Sequence, residues 1–171
     1  MNSYHEPNQN RAPRFRPPLV GCVARDRQLA LSLGSCYNDT FTSIAAQIYR
    51  SLVTAESDRV LSDLFDRMAG EELEQFRLLG ELITALGGEG IPRALGRAPR
   101  WNPRCDCDHM RAAMLETCMA EKRRNIDRYE TLMSRTGDRV ARSVISKLLS
   151  GERRMLAYMT DFLKDESCDS I

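Results

Sequence analysis

Histidine and aromatic residues are scarce in this 171-residue chain. Histidine occurs only at His5 and His109, and aromatic residues make up 6% of the sequence. Histidine is the side chain whose ordinary pKa lies closest to 7, so little is available for general acid–base catalysis at neutral pH. No glycine-rich phosphate loop and no Ser/His/Asp arrangement is visible. The sequence therefore gives no direct sign of those kinds of enzyme.

Long apolar runs and an excess of charge of one sign are also absent. No run approaches the roughly 20 apolar residues that span a bilayer, and the polar, proline-rich N-terminus has no apolar signal core. The formal net charge is +1, which gives no reason to propose nucleic acid or an anionic membrane as a partner. We therefore expect a cytoplasmic protein with neither a nucleic-acid nor a membrane partner.

The residues that are abundant favour helices, and one helical stripe carries an unexpected charge. From Leu61 to Leu82 the apolar residues recur at steps of three and four, as on one face of a long helix. Continuing that stripe from Met68 leads to Glu72 and Gln75, which would then point into the core. An ionised carboxylate removed from water needs a partner, because its desolvation is costly.

The same pattern returns eighty residues later. In the second copy Glu152 lies inside the apolar stripe, and Met155 stands where Gln75 stood. The chain is therefore interpreted as a duplicated helix hairpin. The identities that share the offset of eighty are Tyr49 and Tyr129, Leu52 and Leu132, Asp58-Arg59-Val60 and Asp138-Arg139-Val140, and Glu72 and Glu152.

The pattern predicts an all-α protein with four long helices. We expect a disordered, basic and proline-rich arm over 1–20, a four-helix bundle over 21–165 and a tail over 166–171. A short helix over 25–33 is expected to end or bend at Gly34 and Ser35, and the first long helix to begin near Tyr37. The residues of that long helix that are expected to face inward are Ala45, Ile48, Tyr49, Leu52 and Val53.

A crossover over 87–108 separates the two hairpins. This stretch has no helical period and contains three prolines, and its roughly 22 residues could reach about 75 Å when extended. That length exceeds the roughly 45 Å of a thirty-residue helix, so the second and third helices are expected to run in the same direction. Short links within each half and one long crossover are typical of the ferritin-like topology.

Two stretches carry a resemblance to a known family. Glu71-Glu72-Leu73-Glu74-Gln75, followed by Leu79, Leu82, Ile83 and Leu86-Gly87-Gly88, resembles the second helix of rubrerythrin-type ferritin-like proteins, including small bacterial spore-associated relatives. Glu121-Lys122, followed by Ile126 and Tyr129, is similar to their third helix. The similarity covers about residues 37–163. It implies a bundle in which two iron or manganese ions are held by one Glu from each of two helices and a Glu-x-x-His pair from each of the others.

Carried over position by position, the resemblance implies a degenerate metal site. Glu72 and Glu152 remain as residual metal ligands, whereas the histidine positions read Gln75 and Met155 and the single-glutamate positions read Thr42 and Lys122. We therefore hypothesise that the Lys122 ammonium lies between Glu72 and Glu152, where metal lies in the family. Hydrogen bonds from Gln75 and Thr42 would complete this buried charge cluster.

A second group of metal-ligand residue types lies at the end of the crossover and the start of the third helix. Cys105, Cys107 and His109 supply three of the roughly four ligands that Zn²⁺ needs, and Cys36, Cys118 or Cys168 would be the fourth. The spacing is not that of a usual zinc motif, so free thiols beside a helix cap, or a thiol with a redox role, are alternatives.

Three functions follow as hypotheses. The first is a rubrerythrin-like bundle without a cofactor that acts as a non-catalytic structural or interaction protein, through a protein partner or as a homodimer. The second is an iron- or manganese-dependent oxidoreductase or metal-binding protein that uses Glu72 and Glu152. The third is a zinc or thiol-redox module at the cysteine cluster.

Overall fold

The computed structural model describes residues 19, 22–89 and 107–168, and in the last segment it describes side chains from 111 to 164. All regular structure in these ranges is helical, which confirms the prediction of an all-α four-helix protein: α1 (Arg27–Thr54), α2 (Arg59–Ala85), α3 (Cys107–Arg135) and α4 (Arg139–Cys168). None of these helices, over the described residues, is long and apolar enough to span a bilayer.

Several sequence predictions lie outside the described residues. They are the arm over 1–20 apart from residue 19, most of the crossover over 87–108, and the last residues of the tail over 166–171. The side chains of Cys105, Cys107 and His109 also lie outside them, so the predicted zinc site stays a prediction.

Helix α1 is longer than the sequence predicts. It begins after Asp26, whose side chain accepts the backbone N–H of Leu29 at 2.9 Å, and it continues through Gly34 without a break. The predicted end of a short helix at Gly34 and Ser35, with a separate long helix from about Tyr37, is therefore wrong. Apolar residues before and after Gly34 are buried on the same face of α1. The free energy gained by burying them outweighs the roughly 1 kcal/mol cost of a glycine inside a helix.

The contacts fix the directions of the helices. Arg111, near the start of α3, lies 2.9 Å from the carboxylate of Asp58, the residue that caps the start of α2. Further along both helices, Lys122 of α3 pairs with Glu72 of α2. Two contacts that advance together along both helices mean that α2 and α3 run in the same direction.

Two hydrophobic clusters form the core, and a layer of buried charges lies between them. The predicted inner faces of α2 and α4 are confirmed, since their apolar residues divide between the clusters on either side of Glu72 and Glu152. The first cluster is built around Leu33, Leu79, Leu82, Tyr129, Ile145 and Leu148. The second cluster is built around Leu61, Phe65, Met68, Leu115, Met155 and Met159.

The second half of α1 faces the core with polar residues. Its buried positions include Gln47, Arg50, Ser51 and Thr54, and it contributes no residue to the second cluster. The residues predicted to face inward are instead exposed at the surface, so that prediction is wrong by about 180° of rotation, which places them on the opposite face of the helix. The exposed fractions are 48% for Ile48 and Tyr49, 70% for Leu52 and 41% for Val53, and Ala45 is also exposed.

Candidate functional site

Three buried charges from three helices meet between the two hydrophobic clusters. Lys122 of α3, Glu72 of α2 and Glu152 of α4 are each about 1% exposed or less. The Lys122 ammonium pairs with Oε1 of Glu72, and it lies 3.5 Å from Oε2 of Glu152. The structure therefore brings together the three charges that the sequence places on inner faces, with the lysine between the acids.

Two neutral side chains complete the contacts of the carboxylates. Ser43 of α1 donates its hydroxyl to Oε1 of Glu72 at 2.8 Å, and Asn125 of α3 donates its side-chain amide to Oε2 of Glu152 at 3.3 Å. The second carboxylate oxygen of Glu72 has no hydrogen-bond partner in the described part of the chain. All four helices thus contribute to this buried layer.

Burial and pairing act in opposite directions on these charges. Burial alone would lower the pKa of Lys122, but the nearby Glu72 and Glu152 carboxylates outweigh it, so its pKa is raised and the ammonium stays charged at neutral pH. Burial raises the pKa of Glu152, and the attraction of Lys122 only partly offsets this effect. Charge pairing therefore holds this layer in the core, as expected where neither an acid nor an amine is stable alone.

Thr42 and Gln75 do not supply the predicted hydrogen bonds. The hydroxyl of Thr42 donates to the backbone carbonyl of Asn38 at 2.9 Å, and the next residue, Ser43, contacts Glu72 in its place. The amide of Gln75 is buried without a hydrogen-bond partner among the described residues. It packs on Gly151 of α4, where an added Cβ would lie 2.5 Å from its Nε2 atom.

The residues at this position do not fit a dinuclear metal centre. The ammonium of Lys122 lies between the two carboxylates, and the two positions at which the resemblance implies histidine ligands hold Gln75 and the fully buried Met155. Over the described ranges no group of three or more His, Cys, Asp and Glu residues is placed to hold a metal ion. Two carboxylates and an amine lack the several negative charges that two divalent ions require.

A second buried polar group lies nearby, and the sequence analysis missed it. Nη1 of Arg50 donates to the sulfur of Cys118 at 2.9 Å and to Oε1 of Gln47 at 3.3 Å. Burial raises the pKa of the Cys118 thiol, although Arg50 acts to lower it. Polar residues recur at steps of three and four along α1, and this spacing indicates a buried polar face. Apolar periodicity alone does not reveal that face. Those residues are Thr40, Ser43, Gln47, Arg50 and Thr54.

A cleft of about 270 Å³ separates α1 from α3 next to both polar groups. Ser43 and Asn125 line the cleft and also donate to the buried carboxylates, so they lie between the cleft and the charge cluster. Most of the other lining residues are arginines and acids. The lining residues are Asp39, Thr42, Ser43, Ala46, Arg50, Glu121, Arg124, Asn125 and Arg128.

The cysteines with described side chains are free thiols: Cys22 is exposed, whereas Cys36 and Cys118 are buried. Burial raises the pKa of the Cys36 thiol as well. Cys118 faces Arg50 and Gln47 in the core, which does not favour it as the fourth ligand of a zinc ion held by the crossover.

Comparisons with protein-family models, with curated proteins and with solved structures found no match for this chain. The resemblance to rubrerythrin-type proteins therefore remains a prediction that rests on the residues quoted for it.

Proposed function

We propose that this protein is a non-catalytic, ferritin-like bundle in which a lysine ammonium takes the place of metal, and that it acts by self-association. The topology is supported by the parallel directions of α2 and α3. Two consecutive helices that run in the same direction need a connection as long as the bundle, which is typical of ferritin-like folds with one crossover.

The observation that carries the loss of metal chemistry is the position of Lys122. Its ammonium contacts Glu72 and lies 3.5 Å from Glu152, so the space between the acids is taken by a covalently attached cation. A divalent ion at this position would have to displace an ammonium that is already paired on two sides. The bundle core then keeps its charges satisfied without any cofactor.

Metal content tests this part of the proposal. Untagged protein from cells supplied with iron, manganese and zinc is analysed by mass spectrometry for bound metal, and we expect none bound at Glu72 and Glu152. The variant Lys122→Met, which leaves the two acids without their cation, is expected to take up Mn²⁺ or Fe²⁺ that the wild type does not.

Two iron or manganese ions per wild-type chain would overturn the proposal in favour of an oxidoreductase or metal-binding protein. Zinc that is released when the thiols are alkylated would instead identify the cysteine cluster as the functional site.

Self-association is supported by the outward face of α1. Phe41, Ala45, Ile48 and Leu52 follow one another at steps of four, three and four, which is the spacing of a helix–helix seam. All four are exposed. Tyr49 and Val53 lie beside them and are also exposed. These five large side chains expose roughly 100 Å² each, so the apolar face of one chain amounts to roughly 500 Å². Two copies together would bury about 1,000 Å², the least that a specific protein interface should bury.

We expect a second copy of this chain to pack on this face, because a face of one helix can pair with itself across a two-fold axis. Light scattering coupled to size exclusion is expected to give the mass of a dimer. The variant Leu52→Glu places a charge in the seam and is expected to give a monomer.

The matched control is Leu31→Glu, because Leu31 is an equally exposed leucine in the first half of the same helix, at 62% against 70% for Leu52. It is expected to leave the dimer intact. A monomeric wild type, or loss of the dimer in both variants, would overturn self-association through this face.

A further inference from the structure

Arg50 is buried without a carboxylate partner. It is 9% exposed, and its hydrogen bonds within the described residues go to Gln47 and Cys118, which are both neutral as ordinarily protonated. A guanidinium is always charged in proteins, and placing it in the core without an opposite charge is costly. No hydrogen bond or ion pair among the described residues joins Arg50 to Glu72 or Glu152, whose carboxylates contact Lys122.

The cleft between α1 and α3 has more unpaired positive than negative charge. Arg50 and Arg124 both line it, and neither forms an ion pair within the described ranges. The third arginine of the wall, Arg128, is paired with Asp39. This leaves Glu121 as the one acid of the described lining without a pair, against two arginines.

We propose that this cleft binds a small oxyanion, of the phosphate or carboxylate kind, between Arg50 and Arg124. The planar fork of a guanidinium matches two oxygens of such an anion, and charge-assisted hydrogen bonds of this type are about twice as strong as neutral ones. The cleft volume of about 270 Å³ accommodates an anion of this size together with water. Nη1 of Arg50 stays on Gln47 and Cys118, and these bonds hold the guanidinium in place.

The buried acids do not block this site. Ser43 and Asn125 separate the cleft from Glu72 and Glu152, and both direct their donor groups toward the carboxylates. Lys122 neutralises one of the two negative charges behind them, and its raised pKa keeps it charged. Among the described lining residues, an anion in the cleft therefore meets two arginines without an ion pair, Arg50 and Arg124, and one such carboxylate, Glu121.

Thermal unfolding tests the proposal with inorganic phosphate and with acetate, each compared with chloride at equal ionic strength and at pH 7. A ligand that binds only the folded state stabilises it by RT ln(1 + [L]/Kd), so Tm rises with the ligand concentration. We expect at least one of the two oxyanions to raise Tm above its value in chloride. Binding by phosphate alone or by acetate alone would identify which kind of oxyanion the cleft selects.

Arg124→Gln is the decisive variant, because Arg124 is exposed and its loss should not affect folding. It is expected to weaken the apparent Kd for the anion by about tenfold, as for the loss of a charge-assisted hydrogen bond. The control Arg123→Gln removes the same charge from the adjacent exposed position, outside the cleft, and is expected to leave the Kd unchanged.

Arg50→Gln is expected to abolish the oxyanion effect, and if this variant fails to fold, Arg124→Gln decides alone. Equal Tm values of the wild type in phosphate, acetate and chloride would overturn the proposal. So would an equal loss of binding in Arg123→Gln and Arg124→Gln, because the effect would then come from general charge and not from the cleft.

Discussion

The two halves of α1 use the same helix in opposite ways. The first half buries Leu29, Leu33 and Tyr37 in the first hydrophobic cluster. The second half buries polar residues such as Gln47 and Arg50 and exposes Ile48 and Leu52. The change occurs at Ser43, where α1 meets the layer of buried charges.

This difference separates two tasks within one helix. Apolar burial contributes about 25 cal/mol per Å², so the first half fixes α1 to the bundle. The second half gains little from apolar burial, and its apolar residues remain available to a partner. The boundary between the halves is the layer of buried charges around Lys122.

Lys122→Met is expected to have the largest effect on stability. Removing the ammonium leaves Glu72 and Glu152 buried without their cation, and breaking a buried ion pair in this way costs about 3–5 kcal/mol. Urea denaturation in the presence of a chelator measures the loss. The control Lys147→Met removes an exposed lysine of α4 and should change the free energy of unfolding by less than about 0.5 kcal/mol. Similar values for both variants would mean that the charge layer does not stabilise the fold.

Leu33→Ala and Leu52→Ala make the same chemical change in the two halves of α1. Leu33 is fully buried and Leu52 is 70% exposed. We expect Leu33→Ala to cost about 3 kcal/mol, since it removes core contacts and leaves a cavity, whereas Leu52→Ala should cost less than about 0.5 kcal/mol. Denaturation at a protein concentration low enough to keep the chain monomeric provides the measurement. Equal losses at the two positions would contradict the division of α1 into two halves.

Ser62→Ala tests how the polar half of α1 is held to α2. Ser62 donates to the backbone carbonyl of Ser51 at 3.0 Å, and the two hydroxyls lie 3.1 Å apart. The single variant leaves the buried Ser51 hydroxyl without this partner, whereas the Ser51 carbonyl still accepts from the Thr54 hydroxyl at 3.3 Å. It is expected to cost about 1 kcal/mol. The double variant Ser51→Ala/Ser62→Ala also removes the Ser51 hydroxyl that the single variant leaves unpaired, so it should cost less than the sum of the two single variants. Additive losses would show that the two hydroxyls do not interact.

Asp138→Asn is expected to have the smallest effect, which is present near neutral pH and disappears in acid. The backbone N–H groups of Ala141, Ala24 and Val140 lower the pKa of Asp138, so its carboxylate caps α4 and holds the residues before α1. A lowered pKa contributes stability above the unfolded value of about 4, which is lost as pH falls through the lower, folded value. The free energy of unfolding should therefore decline less between pH 5 and about 2 in Asp138→Asn than in the wild type. Parallel curves for the two proteins would contradict this assignment.

The sequence was sufficient to predict α2, α4 and the meeting of Glu72, Lys122 and Glu152. In these helices an apolar stripe gives the rotation of the helix, and the charges could be placed by counting along it. Helix α1 could not be predicted in this way, because the face that it buries is polar and the face that it exposes is apolar. The repeat increased the error: Tyr129 is buried, whereas Tyr49, its counterpart at an offset of eighty, is half-exposed.

The layer of buried charges also determines how the four helices can align along their length. Apolar side chains tolerate small slides, since one leucine can replace another against a neighbouring helix. If α3 slid by one turn, about 5.4 Å, Lys122 would face an apolar cluster and both acids would lose their cation. Such misaligned states carry an unpaired buried charge, so the layer selects a single register among packings that the apolar residues alone would leave close in energy.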